Sequence, residues 1–146
     1  MSDWQFELTK WIFHGMERID DKDVRHEKYC SQSLVNIKIA IGLAESIRQD
    51  LKCCVDVQVY GPDGTTPSNR NGRALVVLAK DSPIGMIVFE FGVAHAMLPV
   101  SHRIVQQAIL ADAGSFDLSD PTFPTVILQQ LYAAIAPYIG WKPVSR

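Results

Sequence analysis

Glu90 is the residue that asks most of its surroundings. It lies in Met86-Ile87-Val88-Phe89-Glu90-Phe91-Gly92, an apolar run that reads as a strand covered on both faces. A carboxylate in such a place needs a cation, a metal or a proton. Strand-borne carboxylates hold divalent cations in many hydrolytic sites, so Glu90 is the first catalytic candidate. Asp56 and Asp81 are the acids available to join it. His95 and His102 follow it, and His95 is the candidate general acid or base. The plainer reading places Glu90 at a strand end beside Gly92, facing solvent or an ion-pair partner.

Other chemistry-bearing residues give weaker patterns. His26 and Cys30 are four apart, which puts them on one face of a helix, and Cys53 and Cys54 could complete a zinc set. No Cys-x-x-Cys or His-x-x-x-His pair exists, and adjacent cysteines seldom ligate one ion together, so no metal or cofactor is expected. There is no Gly-x-Ser-x-Gly elbow. Gly61-Pro62-Asp63-Gly64 is not a phosphate loop, because no Gly-Lys-Ser/Thr follows and Pro62 lacks an N–H. Arg70, Arg73 and Arg103 offer a grip for a phosphate or an acidic partner, against the simpler reading of a solvated loop.

Aromatic residues favour binding. Trp4, Phe6, Trp11 and Phe13 fall within ten residues. On a helix, Trp4, Leu8, Trp11 and Ile12 share one face. Phe6 and Phe13 then need a second contact surface. That surface belongs either to the domain interior or to a partner, since Trp and Phe are common interface anchors. Trp4, Trp11, Phe13, Arg70 and Arg73 are therefore the partner-binding candidates.

The elements that must position these residues follow from pattern. Ser2-Asp3-Trp4-Gln5 fits a capping box that opens a first helix, ended near Gly15. Asp20 to Lys28 reads as the charged start of a second. The main helix spans Ser33 to Leu51. Its stripe is Leu34, Ile37, Ile41, Ala44, Ile47 and Leu51, widened by Val35, Ile39 and Leu43, so it is buried on more than one side. Val55 to Tyr60 alternates with period two, leaving Asp56 and Gln58 on a wet face. Gly61 to Gly72 is a long loop of turn formers. Ala74 to Ala79 and Ile84 to Phe91 are continuous apolar strands joined by a turn at Lys80-Asp81-Ser82-Pro83. Ser101 to Ala113 reads as a helix or, at Arg103-Ile104-Val105, opens with a strand, and Gly114 to Phe123 reads as a loop. A last helix starts at Pro124, buries Ile127, Leu131, Ala134, Ile135 and Tyr138, and stops at Pro137.

The order α-α-β-β-β-α-α defines an α+β domain: a small antiparallel sheet of three or more strands with helices packed on it. The chain of 146 residues is one domain by length. Its 47% hydrophobic and 21% charged residues are those of a globular protein rather than a disordered one. A net charge of −2 does not indicate nucleic acid as the partner, and no apolar run is long enough for a membrane span. Three cysteines, with Asp3 and Glu7 where a secretory leader is cationic or apolar, point to the cytoplasm.

One resemblance passes through Glu90. A helix, a strand and a tight hairpin whose second strand carries Glu is similar to the core of the restriction-endonuclease-like nucleases. That family sets an acid on the first hairpin strand and Glu-x-Lys on the second. Here Arg73-Ala74 stands where the acid belongs and Gly92 where the lysine belongs, so only Glu90 matches. The resemblance implies the fold without the nuclease chemistry. Two function classes remain. The first is a non-catalytic cytoplasmic binding protein of adaptor, chaperone, immunity or phage-inhibitor type, docking on a protein partner and forming a homodimer. The second is a metal-dependent hydrolase of nuclease-like type, centred on Glu90 with Asp56 or Asp81 and a nearby histidine, His95 being the candidate.

Overall fold

The computed structural model describes residues 16–25, 29, 31–52, 55–62, 73–80, 82–99 and 110–139. They form an α+β arrangement of one six-stranded antiparallel sheet and three helices. In chain order these are β1 (Met16–Arg18), α1 (Asp21–Arg25), α2 (Ser31–Leu51), β2 (Asp56–Pro62), β3 (Ala74–Ala79), β4 (Pro83–Glu90), β5 (Val93–Pro99), β6 (Leu110–Asp117) and α3 (Phe123–Ile139). Every strand pairs with its neighbour in sequence, from β1 at one edge to β6 at the other.

The centre of the sheet is the part most firmly dictated by composition. All six residues of β3 and six of the eight in β4 are buried, because both strands are apolar on both sides of the pleat. Between them, Lys80 N–H donates to the Ser82 carbonyl at 3.2 Å and Pro83 opens β4. The β4–β5 connection is shorter still. Phe91 and Gly92 form a two-residue turn with φ of 25° and 73°. Such primed turns need positive φ at both central positions, which glycine accepts and phenylalanine resists.

Alternation splits the sheet residues between two faces. Val59, Val76, Ile87 and Ala96 stand side by side on the first face, in register across β2 to β5. All of them are buried with α2 and α3. Helix α2 lies over β2 and β3, and α3 over β4 to β6. Ile37, Ala40, Ala44 and Ile47 of α2 and Ile127, Leu131 and Ile135 of α3 are fully buried there. Each large side chain so placed contributes about 1.5–3 kcal/mol. Gly85 in β4 lets α3 come close. A Cβ at that position would sit 2.9 Å from Leu131 Cδ1 and 3.2 Å from Ile135 Cγ2.

The second face carries its own cluster: Met16, Tyr60, Leu75, Val77, Ala79, Met86 and Val88, with Met97 and Leu110 packed against it. Gln58 lies on this face at 8% exposure. The expected wet face of β2 is therefore wet only at Asp56.

Several sequence expectations need correction. The expected sheet of three or more strands has six among the described residues, so the order differs from the expected α-α-β-β-β-α-α. Val93–Pro99 and Leu110–Asp117 are strands, so the expected helix over 101–113 does not extend past residue 109. Residues 100–109 lie outside the described set. The predicted loop at Gly114 shrinks to the turn that follows Asp117. Val35 is 51% exposed rather than part of a buried stripe. Helix α3 continues through Pro137 to Ile139. It can do so because Ala133, whose carbonyl loses its helical donor there, is on the solvent side. The first expected helix, with Trp4, Trp11 and Phe13, lies outside the described residues.

Candidate functional site

Glu90 has a partner, and it is one of the residues expected to bind elsewhere. The hairpin register sets Ala74 opposite Phe89, which brings Arg73 beside Glu90. Arg73 Nε lies 3.0 Å from Glu90 Oε1, with the two side chains 39% and 31% exposed. The need inferred for this carboxylate is thus met by an ion pair at the end of the β3–β4 hairpin. A pair this exposed contributes about 0–1 kcal/mol.

His95 is close to this pair. Val88 faces His95 and Glu90 faces Val93, so Glu90 and His95 are diagonal neighbours on the second face, roughly 7–8 Å apart by backbone position. His95 Nδ1 lies 3.8 Å from Asp112 Oδ2 on β6. A bulge makes that approach. Between His95 and Met97 the β5 strand advances two residues while β6 advances three, from Ser115 to Asp112. Gly114 takes up the extra residue with φ of 134°, and its N–H donates to Asp112 Oδ1 at 2.9 Å. A bulge of this kind re-aims a side chain. Sequence reasoning missed Asp112; the only signal was Asp112-Ala113-Gly114, an acid two residues before a glycine.

Asp56 does not join them. It sits at the opposite end of the second face, six residues along β3 from the Arg73 position, about 20 Å at strand spacing. Its Oδ1 accepts from Gln58 Nε2 at 2.9 Å. Among the described residues no group of three or more His, Cys, Asp or Glu is arranged to hold a metal ion. Asp81, Arg70, Arg103, His14, His26, His102 and the three cysteines lie outside the described residues, as do Trp4, Trp11 and Phe13.

The second candidate surface is α3. Its 17 residues, Phe-Pro-Thr-Val-Ile-Leu-Gln-Gln-Leu-Tyr-Ala-Ala-Ile-Ala-Pro-Tyr-Ile, include no charged side chain. Its inner side is the buried row Phe123, Ile127, Leu131 and Ile135. Thr125, Gln129, Gln130, Ala133 and Pro137 face solvent, flanked by half-buried Val126 and Ala136. The helix is tied to its neighbour by Tyr132, whose hydroxyl donates to Asp50 Oδ2 of α2 at 2.6 Å. Partial burial, followed by this carboxylate, pushes the Tyr132 hydroxyl well above the ordinary tyrosine range. At the start of α3, Asp120 accepts from Thr122 N–H and Oγ1 at 2.9 and 2.8 Å, which lowers its carboxyl below the usual value. Phe91, on the tight turn, adds an exposed aromatic ring at 65%.

Compared with models of known protein families, with curated proteins and with solved structures, the chain matches none.

Proposed function

We propose that this chain is a non-catalytic binding protein that docks on a protein partner through the solvent side of α3. The observation that carries the reading is the absence of charge along this surface helix of about 26 Å. Helices facing water normally carry charged residues on the outer side. The centres of protein interfaces are depleted of charge. An uncharged, knobbly surface of Thr, Gln, Ala and Pro suits a protein partner better than a phosphate backbone, which cations recognise. The hydrolase reading has less support, because Glu90 is engaged by Arg73 and Asp56 stands at the far end of the sheet.

The test is retention of partners from host lysate by the full chain, set against Ala133→Arg. Arginine is a good helix former, so the fold is preserved. Proteins retained by the wild type should fall by about 30-fold with the variant, equivalent to ~2 kcal/mol. Identical retention by both proteins contradicts the reading. Unfolding midpoints with Mg²⁺, Mn²⁺ or Zn²⁺ should not rise; a rise lost in Glu90→Gln would put the hydrolase in its place.

A further inference from the structure

Phe91 occupies a position that neither its backbone nor the core accounts for. It is the first central residue of the two-residue turn between β4 and β5, with φ of 25°. A bulky side chain adopts such a value only under strain, and Asn, Asp or Gly is the ordinary occupant. Burial does not offset the strain. The ring is 65% exposed and belongs to neither cluster of the sheet. An aromatic residue here lowers hairpin stability and adds nothing to the interior. We propose that Phe91 is the anchor of a protein docking site, inserting into an apolar pocket that cationic residues border on the partner. The inference rests on the binding reading above, and adds to it the anchoring residue and the chemistry of the partner's surface.

The position of the turn agrees with that reading. Leu118 N–H donates to the Gly92 carbonyl at 2.9 Å, and α3 starts at Phe123, so Phe91 stands at the end of the sheet where α3 begins. Aromatic anchors of this kind carry much of the energy of protein interfaces by filling pockets. Charge selects the rim of the pocket. Glu90 precedes the turn, Asp117 is in register with Val93 just after it, and Asp120 N–H donates to the Asp117 carbonyl. Arg73 lies beside them, engaged by Glu90 at 3.0 Å. Asp117 accepts from Ser119 N–H and Oγ at 2.9 and 2.7 Å, and Asp120 accepts from Thr122, which lowers both carboxyls below the usual range. Such carboxylates repel nucleic-acid phosphates and anionic lipid headgroups, and complement a protein surface bearing Lys or Arg. A two-fold contact between copies through this tip would set the same acids against their equivalents.

The test compares the full chain with Phe91→Asn, which relieves the strain and removes the ring. The unfolding midpoint should rise by about 2–4 °C. Among proteins retained from host lysate by the wild type, a set should fall by about 30-fold or more with the variant. That set should also be released as NaCl rises from about 0.1 to 0.5 M. A midpoint that falls would show Phe91 serving the domain's own fold, and overturns the proposal. So does equal retention by the two proteins, retention of nothing by the wild type, or retention indifferent to salt. Vesicles of phosphatidylcholine with about 30% phosphatidylserine should not bind; binding lost in Phe91→Asn would put a membrane in place of the protein. A dimer in sedimentation that Phe91→Asn dissociates would put a second copy there. Ala133→Arg, run in parallel, separates the two readings. Proteins lost with Phe91→Asn alone support the anchor and contradict docking through α3. Proteins lost with Ala133→Arg alone contradict the anchor and leave docking through α3 standing.

Discussion

Helices α2 and α3 do the same work on one side and differ on the other. Both lie on the first face of the sheet, and both bury a row of aliphatic side chains completely. Outward, α2 shows Lys38, Glu45, Arg48, Gln49 and Asp50 to solvent. One of these is also used inward: Arg48 Nη2 donates to the Val57 carbonyl at 2.8 Å. Helix α3 shows Thr125, Gln129, Gln130, Ala133 and Pro137. Core packing dictates the inner rows, and its demands are alike for both helices. It places no demand on the outer rows, so the contrast there reports what each surface meets: water for α2, and a protein surface for α3 on the reading proposed above.

Equality of the inner rows can be broken first, because core truncations have the largest effects. Leu131→Ala in α3 and Ile47→Ala in α2 should each destabilise by about 2–5 kcal/mol in denaturant titrations. A loss below ~1 kcal/mol for Leu131 would mean that α3 is not anchored as described. The outer rows come next. Ala133→Arg should weaken partner binding by ~2 kcal/mol, whereas Glu45→Arg on α2 should change binding and stability by no more than about 0.5 kcal/mol. Equal effects of the two would erase the distinction.

The link between the helices gives a smaller signal. Tyr132→Phe removes the hydrogen bond to Asp50 and should cost about 1 kcal/mol. The pH dependence has a definite sign. The folded state holds the Tyr132 proton more tightly than the unfolded chain does, so its contribution is complete below the ordinary tyrosine value of 10.0. It is lost as pH rises above that value. Unfolding curves measured from pH 8 to 11 should show that alkaline decline in the wild type and a weaker one in Tyr132→Phe. Glu90→Gln should cost only about 0–1 kcal/mol, since the Arg73 pair is partly solvated. A loss of 3 kcal/mol or more would show Glu90 in a far more demanding role.

Legibility in the sequence followed how much each segment states for itself. Strands β3 and β4 are runs of Val, Ile, Leu and Met, and α2 and α3 carry apolar residues at helical spacing. Strand β6 reads Leu-Ala-Asp-Ala-Gly-Ser-Phe-Asp, with no β-branched residue and with glycine and two acids inside it. Its conformation comes from pairing with β5, which no local pattern reveals. Strand β5 hides for another reason. Ala94 and Ala96 are small and fully buried on the face that α3 covers, so its period-two signal is faint. At the candidate site, the demand of Glu90 was legible and its answer nearly so. Counting back from the Lys80–Pro83 turn sets Arg73 beside it. Asp112 was not legible, because a bulge decides where it points.

On the proposed function, α3 and not α2 meets a partner. The most direct measurement places a photo-crosslinking amino acid in the full chain, in separate proteins, at Gln129 or Ala133 of α3 and at Lys38 or Glu45 of α2. All four positions are exposed, so each reports on what comes near it. Covalent protein adducts are expected after irradiation in the host cell from positions 129 and 133 and none from 38 and 45. Adducts from the α2 positions alone, or from neither helix, would contradict it.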